Sequence, residues 1–410
     1  MTKKVKNLIV GLDVGSTKVA CCLGVYEQGM TEILGYGMAP CSGLRRGIVV
    51  DIEETVSAIS ACLEEAERMS GILIDSAFVG VGGAHIASEN SKGVVAVSKA
   101  DGEITDDDVK RVVEAARTVS LPPNREILHV VPKMFVIDGQ EGIKDPTGMS
   151  GVRLEVEAHV IGVATGAMKN LTKCVYQSGI NIDELVYAPL SLSKLLLSKK
   201  QKEIGVILID MGAGTTSLAI FEEGDLIHST VLPVGSSHIT NDIAIGLRIP
   251  LDLAEKIKKE HGFADPSQVG DKESINLQQI DKHEEGEVSK KYIAEIVEAR
   301  ISELFQMIKD ELRKIDRDGM LPAGAVLTGG GCKLKGLVDI AKDNLKLPAQ
   351  IGMSTLEFSG MVDKINNPLY AQAVGLILWG TEEKPRAFHK SISISGLPKK
   401  IKDFFKQYLP

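Results

Sequence analysis

The sequence predicts an α/β protein made of two lobes, with a smaller α+β unit inserted into the first lobe. The chain has 410 residues, more than the ~250–300 at which a single hydrophobic core usually stops growing. A pattern of apolar strand, Asp, glycine and hydroxyl residues, and second apolar strand occurs at 9–20 and again at 207–220. Between 84 and 162 the pattern changes to several strands around one helix. A repeated strand-loop-strand unit indicates two related halves.

The composition excludes several classes of protein. Hydrophobic residues make up 44% and charged residues 25% of the chain, which is ordinary for a soluble globular protein. The net charge of −8 argues against a nucleic-acid partner, although it leaves a local basic patch possible. The six cysteines lack C-x-x-C spacing and the eight histidines form no ligand cluster, so we expect no zinc site or disulfide framework. Nowhere do 18 apolar residues follow one another without interruption, so the sequence predicts no membrane-spanning segment.

The first lobe is expected to begin with strands at 8–12, 19–25 and 32–37, followed by a helix that opens at Asp51 with an acidic first turn. A strand at 77–81 ends at two glycines, which mark a boundary.

The inserted unit has its own signals. Thr105 with Asp108 three residues later predicts the start of a helix as a capping box. Strands are expected at 94–97, 127–131, 133–137 and 154–161. His129 and His159 lie in strand-like runs, so we interpret them as packed residues and find no catalytic group here.

The second half continues the alternation of strands and helices. A helix through 192–197 precedes the second glycine loop, and helices are predicted at 236–247, 253–262 and 291–315. A third glycine loop follows at 325–345, made of a strand, three glycines and a helix.

The three glycine loops are the candidate ligand site. Glycines let backbone N–H groups approach an anion that a Cβ would keep away. An Asp facing the same anion suggests a bridging cation. A plain tight turn is the alternative for any one loop, but three loops in this order favour two halves that clasp one polyphosphate. The candidates are Asp13, Gly15, Ser16, Thr17 and Lys18, then Asp210, Gly212, Ala213, Gly214, Thr215 and Thr216, and then Gly329, Gly330, Gly331 and Cys332.

These motifs resemble the phosphate 1, phosphate 2 and adenosine motifs of the actin, Hsp70 and sugar-kinase superfamily. The resemblance implies an actin-like (ribonuclease H-like) fold that binds ATP with Mg²⁺, the metal being held through water by Asp13 and Asp210. Glu255 and Lys258 share one helix face, and from spacing alone we prefer a solvated charge pair. Because residues 254–262 resemble the helix on which bacterial actins hold ribose and adenine, both become candidate nucleotide ligands.

Within the superfamily, the chain resembles the FtsA family of bacterial cell-division proteins along essentially its whole length, through residues 141–146, 148–153, 298–301 and 370–375. By that resemblance, subdomain 1C (SHS2) makes contacts in filaments and with later division proteins. Subdomain 2B would receive the C-terminal tail of the tubulin-like protein FtsZ, with Arg300 as a contact. We expect 1A at 1–83 and 163–202, 1C at 84–162, 2A at 203–235 and 319–364, 2B at 236–318, a return helix at 365–380, a linker at 381–395 and an amphipathic helix at 396–410.

The last fifteen residues predict a membrane-targeting helix. Apolar side chains recur at helical spacing and lysines occupy the remainder, a pattern typical of helices that lie on anionic membranes. A terminal helix docked on its own domain is the alternative. The predicted membrane residues are Leu397, Lys399, Lys400, Ile401, Lys402, Phe404, Phe405, Tyr408 and Leu409.

Hydrolysis of ATP is expected to be slow and its catalytic residue is unknown. Phosphoryl transfer to water requires a group that orients the water. Relatives that hydrolyse ATP well carry Gln or Glu before the second phosphate loop, where this chain has Ala188.

The resemblance thus implies an ATP-binding protein that polymerises on the cytoplasmic face of the cell membrane at the division site and anchors the FtsZ ring. Two alternatives stay open: a type IV pilus assembly protein of the PilM kind and a small-molecule kinase of the same superfamily. An Hsp70-like chaperone would carry a C-terminal substrate-binding domain, for which we expect no sequence to remain.

Overall fold

The first lobe is built on a mixed sheet that opens the chain. The computed structural model describes residues 7–27, 29–118, 124–282, 284–364 and 366–383. The first two strands form an antiparallel hairpin, and the first strand also pairs in parallel with the sixth. The elements are β1 (Leu8–Val14), β2 (Lys18–Glu27), β3 (Met30–Pro40), β4 (Leu44–Arg45), β5 (Ile48–Val49), α1 (Ile52–Ser70) and β6 (Ser76–Val81).

Helix α1 begins and ends as its sequence predicts. The Asp51 side chain accepts a hydrogen bond from the Glu54 backbone N–H at 3.0 Å, which satisfies one free donor of the first turn. The helix stops at Gly71, whose φ of 69° lies in the left-handed region that glycine adopts without strain.

The insertion is a four-stranded antiparallel sheet with one helix against it. Its strand order is β7-β10-β8-β9. The capping box is confirmed, because Asp108 accepts from the Thr105 N–H at 2.9 Å and Thr105 accepts from the Asp108 N–H at 3.3 Å. The elements are β7 (Ile86–Ala96), α2 (Asp106–Ala116), β8 (Arg125–Ile137), β9 (Gln140–Ile143) and β10 (Arg153–Ala164).

One strand of the insertion differs from the sequence expectation. The two strands expected at 127–131 and 133–137 are one strand, β8, whose register against β10 shifts between Glu157 and Ala158. This shift lies opposite Pro132, and a proline is tolerated inside a sheet at such an irregularity.

The segment after the insertion returns to the first lobe and crosses to the second. The helix expected at 192–197 begins earlier, at Ala188, because Pro189 occupies the first turn, where its missing N–H is not needed. The elements are α3 (Thr165–Gln177), β11 (Asn181–Tyr187), α4 (Ala188–Leu196) and α5 (Lys199–Ile204).

The second lobe contains a five-stranded sheet in the order β14-β13-β12-β17-β18. Ile207 and Ile209 pack into the core of this lobe, whereas Val206 and Leu208 join the core of the first lobe. The elements are β12 (Val206–Met211), β13 (Thr216–Glu222), β14 (Asp225–Leu232), α6 (Ser236–Leu247), α7 (Leu251–His261), β15 (Ser274–Asn276), β16 (Glu287–Ser289), α8 (Lys290–Lys314), β17 (Ala325–Thr328), α9 (Leu337–Leu345) and β18 (Ala349–Ile351).

The chain then returns to the first lobe. Strand β19 (Phe358–Gly360) pairs in parallel with β3, so these three residues belong to the first lobe's sheet and not to the range 319–364 assigned to the second. Helix α10 (Ala371–Glu383) lies on β1, where a Cβ at Gly11 would come within 2.9 Å of the Leu376 Cβ. The first three residues of the expected linker, 381–383, are therefore helical. The rest of the linker and the amphipathic helix at 396–410 lie outside the described residues.

The insertion also contacts the second lobe. His159 is 2% exposed, and its Nε2 lies 2.9 Å from the Ser229 Oγ on β14. Burial is the main cause that lowers the pKa of His159 to about 3. His129 accepts a hydrogen bond from the Tyr187 N–H at 3.0 Å, and burial lowers its pKa to about 4. Both histidines are packed residues, as predicted.

Within the described ranges, no helix is long and apolar enough to cross a membrane.

Candidate functional site

A cavity of about 1260 Å³ lies between the two lobes. All three glycine loops line it, together with the α7 side chains Glu255 and Lys258. Its volume exceeds the ~300–1,000 Å³ of typical small-molecule sites. The cavity therefore has room for a polyphosphate ligand together with water and a metal ion.

The first two loops have the same backbone geometry. The Gly15 N–H donates to the Lys18 carbonyl at 2.9 Å, and the Gly212 N–H donates to the Thr215 carbonyl at 2.9 Å. Each closes the hairpin that follows an Asp at a strand end, Asp13 in one lobe and Asp210 in the other. The repeat inferred from the sequence is thus present in the structure.

The two loops meet across the cleft. A Cβ at Gly214 would lie 2.9 Å from the Arg46 Cα and 3.3 Å from the Ser16 Oγ, so a side chain there would push the lobes apart. Ser16 Oγ also accepts from the Gly47 N–H at 3.0 Å. Glycine is therefore required at 214 by close approach of the two lobes.

The two aspartates give the cavity its electrostatic character. Lys18 Nζ lies 2.9 Å from Asp13 Oδ2. Burial first, and then the nearby Asp13 charge, raise the pKa of Asp210 to about 7. A cation between the two carboxylates would relieve this repulsion.

The third loop brings flat backbone to the opposite wall. Gly329 has a φ of 82°, and a Cβ at Gly331 would lie 2.5 Å from the Met211 Cγ. This loop therefore packs directly on the end of β12, and its glycines leave the cavity open beside Asp210.

The predicted pair on α7 forms a partly buried network at the cavity. Lys258 Nζ lies 2.6 Å from Glu255 Oε2 and donates to the Ser236 carbonyl at 3.1 Å. Thr240 Oγ1 lies 2.5 Å from the same carboxylate oxygen. Burial opposes ionisation of Glu255, but bonds from Lys258 and Thr240 keep its pKa below the usual range. The pair is both an i,i+3 ion pair and part of the cavity wall.

Some candidates lie elsewhere. Thr216 is fully buried and donates to the Val234 carbonyl at 2.8 Å. The Cys332 thiol is buried, and burial raises its pKa to about 12. Neither lines the cavity. Arg300 lies on α8, outside the cavity, with Nε 2.6 Å from Asp242 Oδ2 and Nη2 2.9 Å from Oδ1.

The sequence did not single out several other residues of the cavity wall. Ser236 and Ser237 follow Gly235 at the start of α6, but their N–H groups already donate to the Gly212 and Ala213 carbonyls. Thr328 and Gln372 also line the cavity. Thr328 opens the motif of the third loop, although only the glycines and Cys332 of that loop were predicted as ligands. Gln372 lies in a run that the sequence assigns to a helix, so only its three-dimensional placement reveals it.

Two lobes that each contribute a strand–Asp–glycine hairpin to one cleft define an actin-like protein. The PilM–PilN type IV pilus biogenesis complex has this fold, with a TM-score of 0.67 at 17% identity over 91% of this chain and 98% of that one. MreB5 of Spiroplasma citri bound to ADP matches with a TM-score of 0.51 at 14% identity over 98% of this chain and 99% of that one.

Sequence comparison then identifies the family. The model "Cell division protein FtsA" matches residues 207–375, and "SHS2 domain inserted in FTSA" matches residues 83–162. Cell division protein FtsA of Pseudomonas aeruginosa is 40% identical over 95% of this chain and 93% of its own length. The Escherichia coli K12 protein is 35% identical over 92% and 91%. The chain belongs to the FtsA family of cell-division proteins, and the type IV pilus alternative is not favoured.

Proposed function

We propose that the cavity binds ATP with Mg²⁺ and that the nucleotide controls assembly of this cell-division protein on the membrane. The observation that carries the proposal is the pair of equivalent phosphate-loop hairpins facing each other across one cleft, each beside an Asp. Backbone N–H groups of the loops would face the phosphates. Glu255 and Lys258 would contact the ribose and adenine.

The chemistry of the aspartates fits a magnesium ion. Mg²⁺ keeps several of its own waters and prefers carboxylate oxygen, so Asp13 and Asp210 would hold it through water. A bound Mg²⁺ neutralises charge on the phosphates. Ala188 carries no group that could orient an attacking water, so we expect turnover below ~1 s⁻¹, the low end of common enzymes.

The membrane part of the proposal rests on the sequence of residues 396–410. One tail would bind anionic lipid weakly, because a few partly buried apolar side chains and ~1 kcal/mol per lysine must offset the ordering of the segment. A filament carries many tails and would bind by avidity. Assembly and attachment thus become one coupled process on the cytoplasmic membrane face.

Electron microscopy on lipid monolayers tests this coupling. The full chain with Mg-ATP should form filaments on anionic monolayers, and a chain lacking 396–410 should not. The variant with Phe404→Glu and Phe405→Glu separates the apolar face from overall charge. Intact lipid binding by that assembled variant would show that the tail is not the anchor.

The proposed FtsZ contact has its own test. Arg300 is paired with Asp242 and with the exposed Glu303, so an acidic FtsZ tail would compete with Glu303 for a guanidinium that Asp242 holds in place. Arg300→Glu should weaken binding of an FtsZ tail peptide at least tenfold, whereas Arg313→Glu, an exposed change further along α8, should not. Equal effects of the two changes would remove Arg300 from the contact.

The insertion would supply contacts between protomers and with later division proteins.

A further inference from the structure

Two buried polar atoms in the cavity wall have no hydrogen-bond partner among the described residues. They are Oγ1 of Thr328 and Oε1 of Gln372. Thr328 is fully buried, Gln372 is 7% exposed, and both residues line the cavity. An unsatisfied buried polar atom costs ~1–3 kcal/mol, so a pair of them in one cavity indicates a ligand that completes them.

Thr328 lies beside Asp210. It is the last residue of β17 and pairs with Asp210, near the end of β12, in the parallel register of the second-lobe sheet. The two Cα atoms are therefore about one strand spacing apart, ~4.8 Å. The chain continues from Thr328 into Gly329, where a Cβ would lie 2.4 Å from the Asp210 Oδ1, so the glycine leaves room for that carboxylate.

Gln372 has the equivalent place beside Asp13. A Cβ at Gly80 would lie 2.9 Å from the Gln372 Nε2, so the amide rests on Gly80. Gly80 pairs with Asp13 in the first-lobe sheet. Thr328 is thus the strand neighbour of Asp210, and Gln372 packs on Gly80, the strand neighbour of Asp13.

The orientation of the Gln372 amide follows from its partner. Nε2 donates to the Ser191 Oγ at 2.8 Å. That hydroxyl uses its own hydrogen for the Ala188 carbonyl at 2.9 Å, so it accepts from Gln372 and cannot donate to it. The carbonyl end is therefore the free end.

The ligand atom that satisfies Gln372 must be a hydrogen-bond donor. The phosphate oxygens of a nucleoside triphosphate only accept hydrogen bonds, and so do the oxygens of a carboxylate. Neither group can therefore donate a hydrogen bond to an amide carbonyl. Water can donate to Gln372 and can both donate to and accept from Thr328. Mg²⁺ bound near phosphates retains several waters.

We infer that Gln372 and Thr328 are two further residues of the site, which hydrogen-bond to the water shell of the Mg²⁺ between Asp13 and Asp210. This inference rests on the proposed nucleotide function. Groups that orient metal-bound ligands typically account for 10–100-fold in metal affinity. The two residues thus lower the Mg²⁺ concentration that nucleotide binding needs. They do not contribute to the affinity for nucleotide without metal.

A magnesium titration of the full chain tests the inference. Binding of a fluorescent ATP analogue is measured first in EDTA and then at rising free Mg²⁺. Thr328→Val and Gln372→Leu keep the size of each side chain and remove its bonding groups. Each should raise the half-saturating Mg²⁺ about tenfold, while the dissociation constant in EDTA stays within about threefold of wild type. Thr328→Ser retains the hydroxyl and should keep the wild-type magnesium dependence.

Thr172→Val is the matched control, because its hydroxyl bonds within α3 away from the cavity. It should leave the magnesium titration unchanged. Wild-type half-saturation in both Thr328→Val and Gln372→Leu overturns the inference while nucleotide binding itself stands. Absence of nucleotide binding by the wild-type chain with and without Mg²⁺ overturns the proposed function instead. A variant that melts before the titration is replaced by Thr328→Ala or Gln372→Ala, which also remove the bonding group and whose magnesium dependence then decides.

Discussion

Asp210→Asn should make the ligand-free protein more stable at alkaline pH. The pKa of Asp210 is raised from 3.8 to about 7, so the folded state binds a proton that the unfolded state has already released. This group's contribution to stability is fully present below pH 3.8 and is lost as the pH rises through 7. Asparagine does not ionise in this pH range, so the stability of the variant does not fall with pH at this position.

The magnitude follows from the two pKa values. At ~1.36 kcal/mol per pKa unit, the difference between 3.8 and about 7 is on the order of 4 kcal/mol. With an unfolding entropy of ~2.1 cal/mol/K per residue, this corresponds to roughly 5 °C in Tm for a chain of 410 residues. Part of the loss has already occurred at pH 5, which lies above 3.8, so we expect the variant to melt about 2 °C higher than wild type at pH 5 and about 5 °C higher at pH 8.

Differential scanning calorimetry from pH 5 to pH 8 in EDTA measures this difference. Asp343→Asn is the control, since it removes an exposed carboxylate on α9 and should follow the wild-type curve. Mg-ATP should reverse the order at pH 8, because only the wild type keeps both carboxylates for the metal. Parallel Tm curves for Asp210→Asn and wild type would refute the raised pKa of Asp210, which burial causes first and the Asp13 charge second.

Three further substitutions test separate parts of the site and the fold. Gly331→Val places side-chain atoms against Met211 and should lower ATP affinity at least tenfold in equilibrium titration; wild-type affinity would remove the third loop from the site. Asp108→Asn replaces a buried carboxylate that accepts hydrogen bonds from the Ser98 and Thr105 backbone N–H groups. The insertion should become about 1–3 kcal/mol less stable, as measured by hydrogen exchange, whereas the exposed control Asp107→Asn should leave its stability unchanged. Ala188→Gln adds an amide at the cavity wall and should raise the rate of phosphate release; an unchanged rate would show that this position does not limit turnover.

The sequence predicts the parts of the site that are local in the chain. Each phosphate loop is a hairpin of adjacent strands, so its glycines, its Asp and its register can be inferred from one short stretch. The α1 cap at Asp51 and the capping box at Thr105 were predictable for the same reason. Their hydrogen bonds join residues only three positions apart.

The predictions that were wrong, and the site residues that were missed, depend on contacts between residues far apart in the sequence. Strand β19 has three residues and pairs with a strand more than 300 positions earlier, which leaves no periodic signal. Gln372 looks like an ordinary polar residue until α10 places it over Gly80. Spacing also could not decide whether Glu255 and Lys258 form a surface pair or line a site, and in the structure they do both.

Isothermal titration of the wild-type protein with ATP in excess Mg²⁺ at pH 7.5 tests the central claim most directly. The account predicts one nucleotide per chain, with affinity at least tenfold lower in Gly331→Val and unchanged in the Thr172→Val control. Absence of saturable binding by the wild type, or equal binding by Gly331→Val, would contradict a nucleotide site between the lobes.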